Sequence, residues 1–402
     1  MNDYFEITEK SAENVLQNAE RIFKEAPLRR GGSDGENKAS NMLFNEIKPY
    51  CDEAKKETFS FSPSAAGAVY RLSCALALLG TIFLKLSEST GSPVFACFTP
   101  VFCIAAFSLF FGKFFFNKTA LDKPFKKARS QNLFFIRFSR SETLFRIVLT
   151  ANTDAPKKLN TPFFGIKAPM IFIVACIIGN TLTFCASCAL LLCGTPRGSR
   201  FFELVTALCL FMCIFYIGAF FVFDIKKTAT ATSSGVVPSL CLAEIMRLLS
   251  DNSVRFPNTE VCVLLSGAEH PCHDGAREFM NRHKRALRDI PTVFISLEDL
   301  VTSSKLAVFF KEGSGGNRPA GIIAESAEAC GVSIAKEKPV IGTPMYTPFE
   351  SAGFDACSFG TSKAFSAKSF FETEKSVQTS SRAVLDALCI LKDAVRFYGN
   401  ER

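Results

Sequence analysis

Histidine is scarce in this chain: three residues among 402, His270, His273 and His283, all following one apolar run. A centre built from several imidazoles therefore has only one place to form. The first residues, Met1-Asn-Asp-Tyr-Phe-Glu-Ile7, lack a hydrophobic run, which predicts no cleavable signal peptide. Paired cysteine spacing is missing too. Nine of the sixteen cysteines lie in long apolar stretches, where Cys behaves as a small apolar residue, and the other seven, among them Cys51, Cys330 and Cys389, are scattered. That excludes a disulfide framework and points to a reducing compartment. Cys185-x-x-Cys188 falls inside an apolar stretch, where packing explains it better than redox chemistry. There is no nucleic-acid-binding motif, so no nucleic-acid partner is expected. The net charge of +8 sits largely on Lys and Arg flanking the apolar stretches and suits anionic lipid headgroups.

Charge is what those stretches lack. Hydrophobic residues make up 48% of the chain, with a mean hydropathy of +0.20. The excess is concentrated in residues 65–86, 93–112, 168–193 and 204–223. About 20 apolar residues cross a bilayer as a helix. The last three stretches reach that length without a charge, whereas Arg71 interrupts the first, which leaves an interfacial or re-entrant helix open for it. The stretches form two hairpins with short connections, so the soluble pieces share one compartment. Residues 113–167 carry twelve Lys and Arg, and Lys226-Lys227 follow the last stretch, while the opposite connections hold only Lys85, Arg197 and Arg200. The positive-inside rule puts both termini in the cytoplasm of a four-span protein, in the plasma membrane of a prokaryote. Transport is weakly supported: the charged residues Arg71, Lys85, Lys113 and Glu203 lie near the ends, and Asn180 is the main polar residue inside.

Outside these stretches the pattern is α/β. Val261-Cys-Val-Leu-Leu-Ser-Gly-Ala-Glu-His270 reads as a buried parallel strand running into a polar tip. Open α/β sheets place chemistry at the carboxyl ends of such strands, so Glu269 and His270 are site candidates. Helical spacing over residues 2–26 gives an amphipathic helix that Pro27 ends. A glycine-rich loop, Arg29-Arg-Gly-Gly-Ser-Asp-Gly-Glu36, then leads into a helix through about Tyr50, with Ser33 or Asp34 as N-cap. Residues 57–62, 132–138, 144–150 and 292–297 read as strands. The polar turn 139–143 predicts that the second and third of these pair with each other. Residues 309–319 form a Gly-rich loop, and helices cover about 236–249, 275–287 and 380–397.

Taken in order, these tips resemble the M28 family of zinc-dependent aminopeptidases and glutaminyl cyclases. Arg30-Gly-Gly-Ser-Asp-Gly-Glu is similar to the family's N-terminal signature, and residues 132–156 to the strands that end in its His-x-Asp tip. Ser234-Gly235-Val236 matches the end of its Asn-Asp-x-Ser-Gly-Val segment. Gly267-Ala-Glu-His270 resembles Gly-x-Glu-Glu, and Phe294-Ile-Ser-Leu-Glu298 resembles Ile-Asn-Leu-Asp. The resemblance implies one domain with a mixed, mostly parallel sheet flanked by helices, in pieces 1–63, 118–167 and 225–402. Two transmembrane hairpins, 64–117 and 168–224, are inserted into it.

The family holds two zinc ions with five ligands and uses a Glu as general base. Carried over, the first His position is Asn152, with Asp154 kept behind it; the bridging Asp falls on Ala231. The second Glu is His270, the next Asp is Glu298, and the last His falls on Lys368; the base position, Glu269, is unchanged. Asn is a poor zinc ligand, Ala is none, and an ammonium opposes the ion. The resemblance then implies a pseudo-peptidase with no cofactor that binds or scaffolds a peptide or protein partner. In that reading Lys368 and Glu269 form a salt bridge where the metals were. The alternative is a metal-dependent hydrolase with a remodelled zinc site built from His270, His273, Cys272 or Glu298.

Overall fold

Every residue of the strand that holds the Val261 run is buried, because the sheet around it is covered on both faces. The computed structural model of the chain describes residues 5–114, 119–155, 168–193, 199–222, 235–270, 272–300, 305–313, 315–339, 343–362 and 379–400. Among them are eight strands in one sheet: β1 (Glu53–Phe61), β2 (Ala128–Arg137), β3 (Phe145–Asn152), β4 (Thr259–Ser266), β5 (Thr292–Leu297), β6 (Leu306–Phe309), β7 (Ile334–Glu337) and β8 (Asp355–Thr361). Their order is β1-β2-β4-β3-β5-β8-β6-β7. The central strands β4, β3, β5 and β8 are parallel; β2 runs antiparallel to both β1 and β4, and β6 antiparallel to β8.

Strand alternation divides the core in two. Phe135, Ile147, Leu149, Val263 and Ile295 point to the face covered by α1 (Glu9–Glu25), α2 (Asp34–Ile47) and α7 (Val236–Asp251). The same face is covered by α9 (Asn317–Ala329) and α11 (Ser381–Asn400). Phe134, Val148, Leu264 and Phe294 point to the other, covered by α8 (Asp274–Arg288) and α10 (Thr347–Ser351). The amphipathic first helix starts at Glu9, later than residue 2, and buries Val15, Ala19 and Ile22. Ser33 is the N-cap of α2, its Oγ accepting from the N–H of Glu36 at 3.3 Å.

The expected pairing of β2 with β3 is not found. Both lie in the sheet, but β4 is inserted between them, antiparallel to β2 and parallel to β3. The polar turn does not close a hairpin because its backbone has other partners. The N–H groups of Arg140, Ser141 and Leu144 donate to the carbonyls of Phe256, Pro257 and Asn258, the segment that leads into β4.

The four apolar stretches form α3 (Ala65–Thr90), α4 (Pro93–Phe114), α5 (Ala168–Cys193) and α6 (Arg200–Val222), each long and apolar enough to cross a membrane. The first stretch is a helix of 26 residues despite Arg71, whose guanidinium lies over the Phe220 ring. Polar side chains tie these helices together. Ser73 Oγ donates to Ala106 O (2.7 Å), Asn180 Nδ2 donates to Cys103 O (3.1 Å), and Thr81 and Thr183 share a hydrogen bond.

All four attachments lie at one edge of the sheet. Phe61, where β1 leads into α3, pairs with Ala128, where β2 resumes after α4, and β2 begins beside the carboxyl end of β4. Asn152, which precedes α5, pairs with Ser266 at the end of β4. Gly235, which follows α6, is so close to the β3 tip that a Cβ there would meet Asn152 O at 2.7 Å. The apolar helices therefore leave from the carboxyl edge, where an α/β sheet carries its site.

Candidate functional site

Asp154, just past the tip of β3, is completely buried and accepts hydrogen bonds from three sides. The N–H of His270 donates to it at 3.0 Å, His270 Nδ1 approaches at 3.3 Å, and Asn152 Nδ2 lies at 3.5 Å. Burial raises its pKa, but the His270 imidazole and these hydrogen bonds outweigh burial and hold the carboxyl below its usual range. In return, and against its own desolvation, His270 is raised to about 9 by Asp154. The pair is an imidazolium against a carboxylate at neutral pH. Asn152 turns its amide inward, Nδ2 donating to the backbone carbonyl of Asp154 at 2.9 Å.

Two further titratable groups complete this side. Arg29 is buried to 0% exposure. Burial lowers its pKa to about 10, with Asp154 and Asp299 acting against that. Glu36 is equally buried and serves as a bracket for the loops. It accepts from Gly32 N (2.6 Å), Ala268 N (2.7 Å) and Ser130 Oγ (3.0 Å). Burial first, then Asp154, raises it to about 8. The loops approach closely here: a Cβ on Gly267 would lie 2.3 Å from Ser130 Oγ and 2.6 Å from Gln131 O, so only glycine fits.

Glu269 belongs to a second group. Its Oε1 accepts from the Ala276 N–H at the start of α8 (2.7 Å), and its Oε2 meets His273 Nδ1 at 2.8 Å. His273 Nε2 in turn faces both the carbonyl and Oγ1 of Thr343 at 2.8 Å. Ala268 and His273, which bracket the segment, both have positive φ (50° and 52°), strain of about 1–3 kcal/mol each that the surrounding contacts must hold. Glu298, past the tip of β5, accepts from Met345 N at 2.7 Å, and burial raises its carboxyl to about 7. Burial likewise pushes the Cys272 thiol up to about 11.

The edge thus gathers Asn152, Asp154, Glu269, His270, His273 and Glu298. Ala231 and Lys368 lie outside the described residues, so the Lys368–Glu269 bridge does too; the described partner of Glu269 is His273. His270 lies against Asp154, whereas His273 lies against Glu269 and Thr343. No group of three or more His, Cys, Asp or Glu side chains among the described residues could hold a metal ion. Zinc needs neutral imidazole or anionic ligands in one shell. The Asn152 amide, donating at the position of one ligand, supplies neither.

Sequence reasoning missed Arg29, Thr343 and Met345. Arg29 opens the glycine-rich loop and was legible only as a charge. Thr343 and Met345 carried no signal, since Met345 acts through its backbone.

No family model and no curated protein sequence matches the chain. Solved structures do match. A glutaminyl cyclase from an Acidobacteriales bacterium is 10% identical, over 98% of this chain and 96% of that one, with a TM-score of 0.53. A zinc aminopeptidase from Bacillus subtilis is 13% identical over 98% and 95%, with a TM-score of 0.53. A leucine aminopeptidase precursor from Bacteroides thetaiotaomicron is 8% identical over 99% and 100%, with a TM-score of 0.57. At these identities the likeness establishes the fold: a mixed α/β sheet flanked by helices, of the aminopeptidase and glutaminyl cyclase kind.

Proposed function

We propose that this chain is a membrane-embedded, M28 peptidase-like protein whose domain binds or scaffolds a peptide or protein partner at the cytoplasmic face without dizinc hydrolysis. The observation that carries the reading is the ligand set at the strand tips: the Asn152 amide donates to Asp154 where the family resemblance implies a His, and His270 lies against Asp154 where it implies a carboxylate. Glu269, the base position, is committed to His273 and the Ala276 N–H. The expected result is less than about one zinc per five purified chains after dialysis, since losing even an outer partner of a metal ligand costs about 10–100-fold in affinity. Glu269→Gln should leave peptide hydrolysis at background. Stoichiometric zinc by elemental analysis, lost on changing His270 and His273 to Ala, would overturn the reading in favour of a remodelled hydrolase.

The placement of the helices supports the membrane part. Because both hairpins leave from the carboxyl edge, the site lies between the sheet and the apolar helices, and a partner would reach it along the membrane surface. The contact is close: Lys113 near the end of α4, buried in an ion pair with Asp122, lies near enough to Cys272 and Asp274 to shift both. Reporter fusions after Met1, at Ser130 and after Arg402 should all report cytoplasm, and one within residues 194–200 should not. Disagreement among the first three would reject both the topology and the insertion of the hairpins into one domain.

A further inference from the structure

We propose that the cavity where α3, α4, α5 and α6 meet binds the hydroxyl end of a neutral primary alcohol taken from the membrane. The inference rests on the reading of these helices as membrane spans. The cavity, of about 30 Å³, is lined by Ser73 and Ala77 of α3, Ala106 of α4, Ile177 and Asn180 of α5, and Tyr216 of α6. Two polar atoms of its lining, Asn180 Oδ1 and the Tyr216 hydroxyl, have no hydrogen-bond partner among the described residues. Both side chains are buried, at 3% and 1% exposure. Buried polar groups are nearly always paired, so two orphans lining one cavity mark the place of a ligand.

The two orphans specify the chemistry. Asn180 Nδ2 donates to Cys103 O at 3.1 Å, which leaves Oδ1 as an acceptor, while the Tyr216 hydroxyl can donate and accept. Ser73 Oγ has already given its proton to Ala106 O at 2.7 Å. The ligand must therefore donate to Asn180 and accept from Tyr216, and an alcohol hydroxyl has both capacities. A ketone or an ether serves Tyr216 alone, and a hydrocarbon serves neither. A charged headgroup does not fit, because no lining side chain is charged and an ion there would stay unpaired.

The other side of the cavity suits a hydrocarbon tail. Phe107, Phe110, Ile173 and Ile177 line it and are themselves only partly buried, so it opens toward the outside of the bundle. Counting that open side, the space amounts to about 390 Å³. The inner volume has room for about two water-sized groups, enough for the hydroxyl and the carbon that carries it. Phe110 and Tyr216 stand near the ends of α4 and α6 that lead back to the α/β domain, so the hydroxyl lies in the leaflet next to that domain. Water is a poorer occupant: it typically makes about three hydrogen bonds, and two unpaired groups on an apolar wall meet it here.

The test uses the full-length protein in vesicles of dioleoylphosphatidylcholine, a lipid without a free hydroxyl, and two photoactivatable probes, a diazirine-bearing octane and the corresponding octanol. The octane probe should label the exposed Val101, Ile104 and Ile178 in every variant, which reports on the membrane reading whatever the cavity does. The octanol probe should in addition label Phe107, Phe110 or Ile177. Unlabelled 1-octanol should displace that label at a concentration about 10-fold lower than octyl methyl ether, which cannot donate to Asn180. Tyr216→Phe removes a hydroxyl that has no partner in the protein, so the variant should fold and bind octanol about 10-fold more weakly. Asn180→Leu should weaken binding as well, and Tyr216→Phe carries the test if loss of the contact with Cys103 unfolds the bundle. Equal displacement by the alcohol and the ether, or wild-type octanol binding by Tyr216→Phe, would overturn the proposal in favour of water. Failure of the octane probe to label the three exposed residues would reject the membrane reading, and the inference with it.

Discussion

Asp154→Ala is expected to destabilise the protein by about 3–5 kcal/mol, the cost of removing one partner from a buried ionic group. The carboxylate is fully buried and satisfies the N–H and Nδ1 of His270. It also counters the burial of Arg29, as Asp299 does, and Arg29 donates to the carbonyl of Ala26. An added Arg29→Met change should recover part of the loss, because it removes the buried cation whose compensation was lost; the two effects should therefore not add. His270→Ala should cost less, since its side chain is 35% exposed and water can replace the contact. The chain has no tryptophan, so denaturation in detergent is best followed by the labelling of the buried thiols Cys241, Cys262 and Cys357. A loss below about 1 kcal/mol for Asp154→Ala would mean that the pair does not hold the edge together.

Stability should fall as pH rises from about 4.5 to 9. Glu36 has a folded pKa of about 8 against an ordinary 4.5, so the native state holds its proton more tightly than the unfolded chain. Its contribution is fully present below about 4.5 and is lost as pH rises through 8. At about 1.4 kcal/mol per unit, this single buried group changes stability by a few kcal/mol at most. His270, raised from 6.5 to about 9, has the same sign: its contribution is complete below 6.5 and lost through 9. Glu298, raised from 4.5 to about 7 by burial, adds to the slope at the low end of the window. Asp154 works the other way, but its depressed pKa confines its effect to the acid range below 3.8. Glu36→Gln should flatten the alkaline slope while lowering stability at pH 6, because its amide NH2 faces N–H donors at Gly32 or Ala268. A variant whose slope matched that of the wild type would show that Glu36 is already ionised at neutral pH.

Much of the architecture was legible in the residues because it is written in local patterns. A run such as 261–265 has no polar position to spare, so it reads as a strand covered on both faces, and it is one. Ser33 is the residue type that caps a helix, and it caps α2. The four apolar stretches read as long helices because no charge interrupts their centres. Short elements were not legible: β6 and β7 have four residues each, too few for a period to repeat. Nor was the strand order, because a polar turn between β2 and β3 says nothing about whether a distant strand will compete for their edges.

The candidate site divides in the same way. Sequence alone determined which residue types stand at the strand tips, Asn152, Asp154, Glu269, His270 and Glu298, because each follows its strand by one or a few positions. Only the tertiary structure decided what they do to one another. Asp154 is bound by His270 from the neighbouring strand, and Glu269 turns away to His273. Arg29 and Glu36 arrive from a loop more than 100 residues earlier in the chain. The physical reason is that pairing and protonation depend on burial and on charges within a few ångströms. Those distances are set by the order β2-β4-β3-β5, which brings together tips that the sequence keeps apart.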